Sequence, residues 1–214
     1  FTAIDSVPLT AIAFFMLTGE LMTSATITDR LVALSRALIG RIRGGLAQVN
    51  VLVSMFFAGM NGSVVADTAT VGALVLPAMK KAGYPAAFSA AVTGVSSTIG
   101  GIIPPSIMMI VLANSTEISI AALFAAGIIP GILIGVVIMI INHYFAIKYN
   151  FERSDEPFSI RRAGKELYRS SFALLIPLVL VGSVMGGVAS VVEAGAITAT
   201  VSYTHLTLPT RLPV

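Results

Sequence analysis

The sequence predicts an all-α membrane protein, with transmembrane helices interrupted by one re-entrant helical hairpin and one broken, unwound helix. Three observations carry this prediction. Of 214 residues, 56% are hydrophobic and 11% charged, whereas a soluble domain carries about 25% charged residues. Nearly all Lys and Arg fall into three short clusters between long apolar stretches. Two of those stretches are broken in the middle, one at Phe56-Phe-Ala-Gly-Met-Asn-Gly-Ser-Val-Val-Ala-Asp67 and one at Ser96-Ser-Thr-Ile-Gly-Gly-Ile-Ile-Pro-Pro-Ser106. Gly, Pro and small polar residues stand there in place of Leu. Backbone that leaves its helix at membrane depth has unpaired N–H and C=O groups, tolerated only inside protein or beside a wet cavity.

Mean hydropathy is +0.94 and several apolar segments recur, so a single membrane anchor is excluded. The sequence pI near 9.5 does not indicate a nucleic-acid partner. The basic residues sit in short loops, which is the positive-inside pattern and not a binding stripe. There is no Cys, hence no disulfide or thiolate metal site. Phe1 stands first with no signal peptide, so the chain is expected to begin inside a longer protein.

Charge bias orients the segments. The clusters are Arg30/Arg36/Arg41/Arg43, then Lys80/Lys81, then Lys148 to Arg169. All three are expected on the cytoplasmic side, with Glu117 outside. Residues 8–26 then cross from outside to inside. In 27–44, Ile27, Leu31, Leu34, Leu38 and Ile42 recur at helical spacing with charges largely opposite, as in an interfacial helix. Residues 46–79 begin and end on the same side and are too short for two full spans, which need roughly 40 residues plus a turn. A re-entrant hairpin fits, with its tip at membrane depth.

Residues 84–114 cross once and are broken at Gly100-Gly101 and Pro104-Pro105, where Pro forbids normal helical bonding and Gly favours unwinding. Residues 118–148 cross back, with Pro130 and Gly131 as a kink. Residues 150–170 read as a polar cytoplasmic loop touching the interface at Phe158 and Ile160, 172–189 cross outward, and 193–200 begin another helix. The tail 201–214 brings prolines, Thr and an Arg where an apolar run was starting. Its stretch 202–210 reads as a translated sequencing adapter, and the tail is expected to be non-native and not to continue the helix.

Two interruptions of this kind point to an ion or substrate site built from half-helix ends. Asn61, Gly62 and Ser63 form the hairpin tip; the bland alternative is that Gly and Ser merely let helices pack closely. Asp67 is the ionisable residue deep in the hairpin, either balancing a cation's charge or satisfied by backbone N–H near a helix start. Ser96, Ser97, Thr98 and Ser106 flank the second break, either lining a site or only satisfying freed backbone groups. Glu20 is placed to pair across helices or with a polar group of another subunit, Glu193 is a favourable helix N-terminal charge, and His143 reads as interfacial in preference to a proton relay.

These residues carry a family resemblance. Gly59-Met-Asn-Gly-Ser-Val-Val-Ala-Asp-Thr-Ala-Thr-Val-Gly72, Leu76-Pro-Ala-Met-Lys80 with Gly83-Tyr84, Ser96-Ser-Thr-Ile-Gly100 with Ile102-Ile-Pro-Pro-Ser106, Ala126-Gly-Ile-Ile-Pro-Gly131 and Ile39-Gly-Arg-Ile-Arg-Gly-Gly-Leu46 resemble the large membrane subunit of TRAP (tripartite ATP-independent periplasmic, DctM-like) transporters. The resemblance covers residues 1 to about 200. It implies one half of an inverted-repeat, elevator-type permease, multi-pass in the bacterial inner membrane. It implies sodium-coupled import of organic acid anions such as C4-dicarboxylates, sialic or other sugar acids. The partners it implies are a small TRAP membrane subunit and an extracytoplasmic solute-binding protein.

On that reading Asn61, Ser63, Gly100, Ile103 and Pro105 hold the Na⁺, and Gly62, Asp67, Ser97, Thr98, Pro104 and Ser106 face the substrate. Helix N-termini would meet its negative charge. The chain departs from the family's usual pattern in carrying Asn61 in place of Ser and Gly101 in place of Pro, and it lacks the family's second half. Asn and backbone carbonyls still suit a hard cation.

Other classes fit less well. An aspartyl intramembrane protease needs two facing Asp residues and only Asp67 is deep; a rhomboid-type protease needs a Ser with a His partner. No enzyme is expected. A channel pore usually repeats around an axis, whereas one hairpin with one broken helix fits alternating access.

Overall fold

The computed structural model describes residues 7–23, 27–39, 42–151 and 159–207. Arg41 of the first basic cluster, Phe158 and the tail residues 208–214 lie outside them. Every regular element among the described residues is helical: α1 (Val7–Thr23), α2 (Ile27–Ile39), α3 (Gly45–Asn61), α4 (Val64–Lys81), α5 (Ala86–Ser97), a 3-10 turn (Thr98–Gly101), α6 (Ile107–Thr116), α7 (Ile120–Lys148), α8 (Ile160–Met185) and α9 (Val191–Thr207). Of these, α7 and α8 are long and apolar enough to cross a membrane, and α1 with α2, bent by 72°, would make a third such span if counted as one.

Helix α3 is the central post. It packs against α1, α2, α4, α5, α7 and α8, and its Val49, Val51, Val53, Phe57 and Ala58 are buried in the main apolar cluster with Leu31, Val71, Met79, Val92, Ile99, Ile138 and Ile176. Nearly every side chain of α3 is apolar or small, so it needs no solvent face. A second cluster, with Phe15, Ile110, Phe124, Leu180 and Ala194, ties α1 and α9 to α6, α7 and α8. Helix α2 behaves as an amphipathic surface helix should: Leu31 and Leu34 are buried while Asp29, Arg30 and Arg36 are exposed.

The basic clusters gather at one end. Gly44, just before α3, abuts Ala146 near the end of α7. Tyr84, which follows α4 and its terminal Lys80 and Lys81, packs at a tilt against Phe151 with ring centroids 4.5 Å apart, just beyond Lys148. Two polar ties pin α3 to α7 near this end: Gln48 Nε2 donates to the Met139 carbonyl at 2.8 Å and Asn142 Nδ2 to the Ala47 carbonyl at 3.5 Å.

The structure differs from the sequence expectation at two places. Helix α8 begins at Ile160, so the end of the expected 150–170 loop is helical; Ser159 caps it by accepting from the Arg162 N–H at 3.4 Å. Helix α9 runs on to Thr207, across residues expected not to continue it. There Thr204 Oγ1 donates back to the Val201 carbonyl at 3.0 Å, a bond compatible with continued helix.

Candidate functional site

The first break is a two-residue hairpin. Helix α3 ends at Asn61, Gly62 adopts φ +57° and its N–H reaches back to the Ala58 carbonyl at 3.2 Å. This left-handed stop is nearly free only for Gly. Ser63 is the N-cap of α4, its Oγ accepting from the Ala66 N–H at 3.4 Å. Asn61 Oδ1 accepts from the Ser63 N–H at 3.2 Å, and its buried Nδ2 has no hydrogen-bond partner among the described residues.

The second break is longer. Helix α5 tightens into the 3-10 turn, and the N–H groups of Ile102 and Ile103 both reach the Ile99 carbonyl at 2.9 Å. The chain then passes Pro104-Pro105, joined by a cis peptide bond. Ser106 restarts the helix, accepting from the Met109 N–H at 3.4 Å and donating to the Gly101 carbonyl at 2.8 Å. Helix α7 presses on this stretch through bare glycines: a Cβ on Gly127 would meet the Ile102 carbonyl oxygen, and one on Gly131 would meet the Ile103 side chain.

The two breaks touch. The Ile107 N–H donates to the Gly62 carbonyl at 3.2 Å, joining the start of α6 to the hairpin tip. A Cβ on Gly62 would fall on the Pro105 carbonyl oxygen, and one on Gly100 would lie 3.6 Å from the Ser63 carbonyl and the Val64 nitrogen. Helix α1 closes the tip from another side, since a Cβ on Gly19 would come 2.6 Å from that of Asn61. The N-terminal ends of α4 and α6 therefore abut, beside the C-terminal end of α3 and the carbonyls of the unwound stretch. The first pair of ends is electropositive and the second electronegative, so one small region offers both an anion-facing and a cation-facing surface.

Asp67 lies one turn into α4 and is fully buried. Ser97 and Ser54 lie beside its carboxylate. Ser97 donates instead to the Thr93 carbonyl at 2.9 Å and Ser54 to Ser96 Oγ at 3.5 Å. Neither carboxylate oxygen has a partner with hydrogen-bond geometry among the described residues. The alternative in which backbone N–H groups satisfy Asp67 is therefore not what the structure contains. A buried carboxylate without donors is costly unless another charge compensates it.

The candidates thus divide. Asn61, Gly62, Ser63, Gly100, Pro105 and Ser106 belong to the junction; Pro104 is buried beside it and Ile103 is held under α7. Asp67 and Ser97 lie off the junction in the seam between α3, α4 and α5. Thr98 is the exposed one among them and donates to the Val95 carbonyl at 2.7 Å. Ser96 likewise donates to the Val92 carbonyl at 2.6 Å, so all four hydroxyls at the second break satisfy backbone groups.

The rest of the seam escaped sequence reasoning. Asn50 Nδ2 donates to Thr93 Oγ1 at 2.7 Å, and Asn50 Oδ1 lies 3.4 Å from Ser96 Oγ, deep in the core. The signal was present: Gln48, Asn50 and Ser54 interrupt an otherwise apolar helix at spacings that put Asn50 and Ser54 on one face.

Comparison with known proteins bears on this geometry. Residues 1–210 match the family described as the tripartite ATP-independent periplasmic transporter, DctM component. The sialic acid TRAP transporter permease protein SiaT of Haemophilus influenzae is 38% identical over 216 residues, covering 97% of this chain and 35% of that protein. The large permease protein SiaM of Vibrio cholerae is 35% identical, covering 96% of this chain and 49% of that one. The C4-dicarboxylate large permease protein DctM of Pseudomonas aeruginosa is 37% identical, covering 91% and 45%. The chain thus spans between about a third and a half of these relatives' length.

Proposed function

The chain belongs to the DctM family of TRAP transporter components, and on that premise we propose that it forms the ion- and substrate-facing half-site of a sodium-coupled importer of organic acid anions. The reading rests most on one observation, the contact between the two breaks at Gly62, Ile107 and Gly100. Hairpin 45–81 is re-entrant on this reading, with its tip in the membrane and its basic end at the cytoplasm. The whole sits in the bacterial inner membrane as one repeat of an elevator-type permease.

The residues fit a Na⁺ at the junction. The carbonyls of Gly100, Ile103 and Pro105 with the side chains of Asn61 and Ser63 are oxygen donors of the kind a hard cation takes. The Pro105 oxygen occupies space at Gly62 that any Cβ would fill. On this proposal Asp67, buried one turn into α4, offsets the charge without being a ligand. When bound, the ion supplies positive charge at the carbonyl-rich ends of α3 and the 3-10 turn. The chain's own part is to hold tip and unwound stretch in register, leaving the N-terminal ends of α4 and α6 for the substrate's carboxylate. Coupling then follows if this register is the binding-competent state.

The names of the relatives include sialic acid and C4-dicarboxylate transporters, which supports a carboxylate anion as substrate. The small membrane subunit and an extracytoplasmic binding protein complete the system on this proposal.

The test is initial uptake of sialic acid and of C4-dicarboxylates into proteoliposomes, with the full-length subunit, its small subunit and its binding protein. Saturable uptake that requires a Na⁺ gradient is expected. Uptake indifferent to Na⁺ removes the coupling claim, and unsaturable flux favours a channel.

A further inference from the structure

Two cations meet where α2 crosses α8. Arg30 Nη1 donates to the Arg169 carbonyl at 3.3 Å, and Ser170 Oγ donates to the Arg30 carbonyl at 3.2 Å. These reciprocal bonds hold the two helices together and set the Arg30 guanidinium against the backbone of Arg169, and both residues are exposed. Four-residue steps back along α8 bring Lys165 and Arg161, also exposed, onto the face of Arg169. Among the described residues the acids nearby are Glu166, half-buried and paired with Arg169 at 3.4 Å, and Asp29, exposed on α2. Against these two, Arg30, Arg161, Lys165 and Arg169 leave the described residues of the patch net positive.

An apolar stripe runs beside the basic one. Ile160, Gly164 and Tyr168 repeat at the same step; Ile160 is 79% and Tyr168 82% exposed. A helix face bathed in water seldom carries both, whereas the headgroup layer of a bilayer suits Tyr, aliphatic side chains and snorkelling cations together. Helix length agrees. From Ser170, the first buried residue of α8, to Met185 the helix rises about 24 Å at roughly 1.5 Å per residue, short of the ~30 Å hydrocarbon core. The basic turns are therefore drawn into the interface. Below them Leu175, Leu178 and Val179 are exposed and available to acyl chains.

We propose that the crossing of α2 and α8 binds the phosphate headgroup of an anionic phospholipid of the cytoplasmic leaflet. Arg30 and Arg169 take the phosphate, Lys165 and Arg161 flank it, and the lipid staples the surface helix α2 to the membrane-crossing helix α8. The proposal uses the cytoplasmic placement of this end but not sodium coupling or the substrate, so its test reads lipid alone.

The chain is reconstituted into nanodiscs of about three parts phosphatidylethanolamine to one part phosphatidylglycerol, re-extracted in mild detergent, and its retained lipid counted by mass spectrometry. Phosphatidylglycerol is expected to be enriched about threefold over the bulk ratio. Arg30→Gln with Arg169→Gln should return it to the bulk ratio, while Arg43→Gln with Lys81→Gln, basic but away from the crossing, should retain it. If the first pair unfolds the protein, Arg161→Gln with Lys165→Gln, which break no hydrogen bond among the described residues, should still lower the enrichment. No enrichment in the parent, or equal loss in the Arg43/Lys81 pair, overturns the proposal.

Discussion

The two breaks solve one problem in different ways. Both restart a helix with a serine whose Oγ accepts an N–H three residues on, at 3.4 Å in each case. They differ in how the preceding helix is left. The hairpin stops within one residue, by a left-handed Gly62, and reverses. The α5–α6 break unwinds through a 3-10 turn and a Pro-Pro pair and continues onward. A stop of one residue offers few bare carbonyls but a sharp tip; a long unwinding offers several carbonyls but no sharp edge. Each break supplies what the other lacks, which explains why they pack together.

The sharpest way to break this pairing is to add bulk where it is tightest. Gly62→Ala should be the most damaging small change. Its Cβ would collide with the Pro105 carbonyl, and the left-handed φ alone costs about 1–2 kcal/mol. Uptake by the full-length complex should be lost. Gly100 is the contrast: its Cβ would sit at ordinary contact, 3.6 Å from Ser63 and Val64. Gly100→Ala should transport and Gly100→Leu should not, at any Na⁺ concentration. If Gly62→Ala and Gly100→Ala behave alike, the two breaks are not differently constrained.

Asp67→Asn tests the seam against the junction. The swap is nearly isosteric and removes a charge whose oxygens have no partner among the described residues, so the fold should hold or gain stability. If the carboxylate offsets a cation's charge, half-maximal uptake should need roughly tenfold more Na⁺, about 1.4 kcal/mol. Unchanged Na⁺ dependence would assign Asp67 no part in the ion site.

Pro104→Ala with Pro105→Ala asks whether the long break must stay open. Without the prolines the chain can extend the 3-10 turn toward helix and withdraw its carbonyls. An uptake loss of about tenfold, less than for Gly62→Ala, is expected, with the Na⁺ requirement raised. Full activity would show that Ser106 and the glycines of α7 hold the stretch unaided.

How far the sequence revealed this depends on the residue type doing the work. Gly62, Gly100 and the Pro-Pro pair act on their own backbone, so their breaks could be read locally. That the breaks touch could not, because Gly62, Gly100 and the Pro105 carbonyl meet through the packing of α3, α5 and α6. The start of α8 was misread because Arg161, Arg162, Lys165 and Glu166 look like loop by polarity, although Arg, Lys and Glu are good helix formers and Ser159 stands ready as a cap. The extension of α9 was misread for a similar reason: Ser202, Tyr203 and Thr204 are poor helix formers in isolation, and neighbouring helices override that preference. The polar seam at Asn50 was visible as a pattern but had no partner until Thr93 and Ser96 were placed against it.

The smallest effect separates the two serines that look equivalent. Loss of a capping hydroxyl costs about 1 kcal/mol at either helix start. Ser63 does only this through its hydroxyl in the fold, so Ser63→Ala should lower stability by about that amount. As one proposed Na⁺ ligand, it should raise the Na⁺ requirement without abolishing uptake. Ser106 also donates to the Gly101 carbonyl at 2.8 Å, closing the unwound stretch on itself. Ser106→Ala leaves that partly buried carbonyl without its donor, and should therefore cost about 1 kcal/mol more than Ser63→Ala. The measurement is paired, thermal unfolding in detergent beside uptake against Na⁺ concentration. If the sharp tip is a site and the long break a scaffold for it, Ser106→Ala should move the unfolding temperature more and Ser63→Ala should move the Na⁺ dependence more. Equal shifts in both readouts would mean that the breaks do not divide the work, and that the junction functions as one undifferentiated unit.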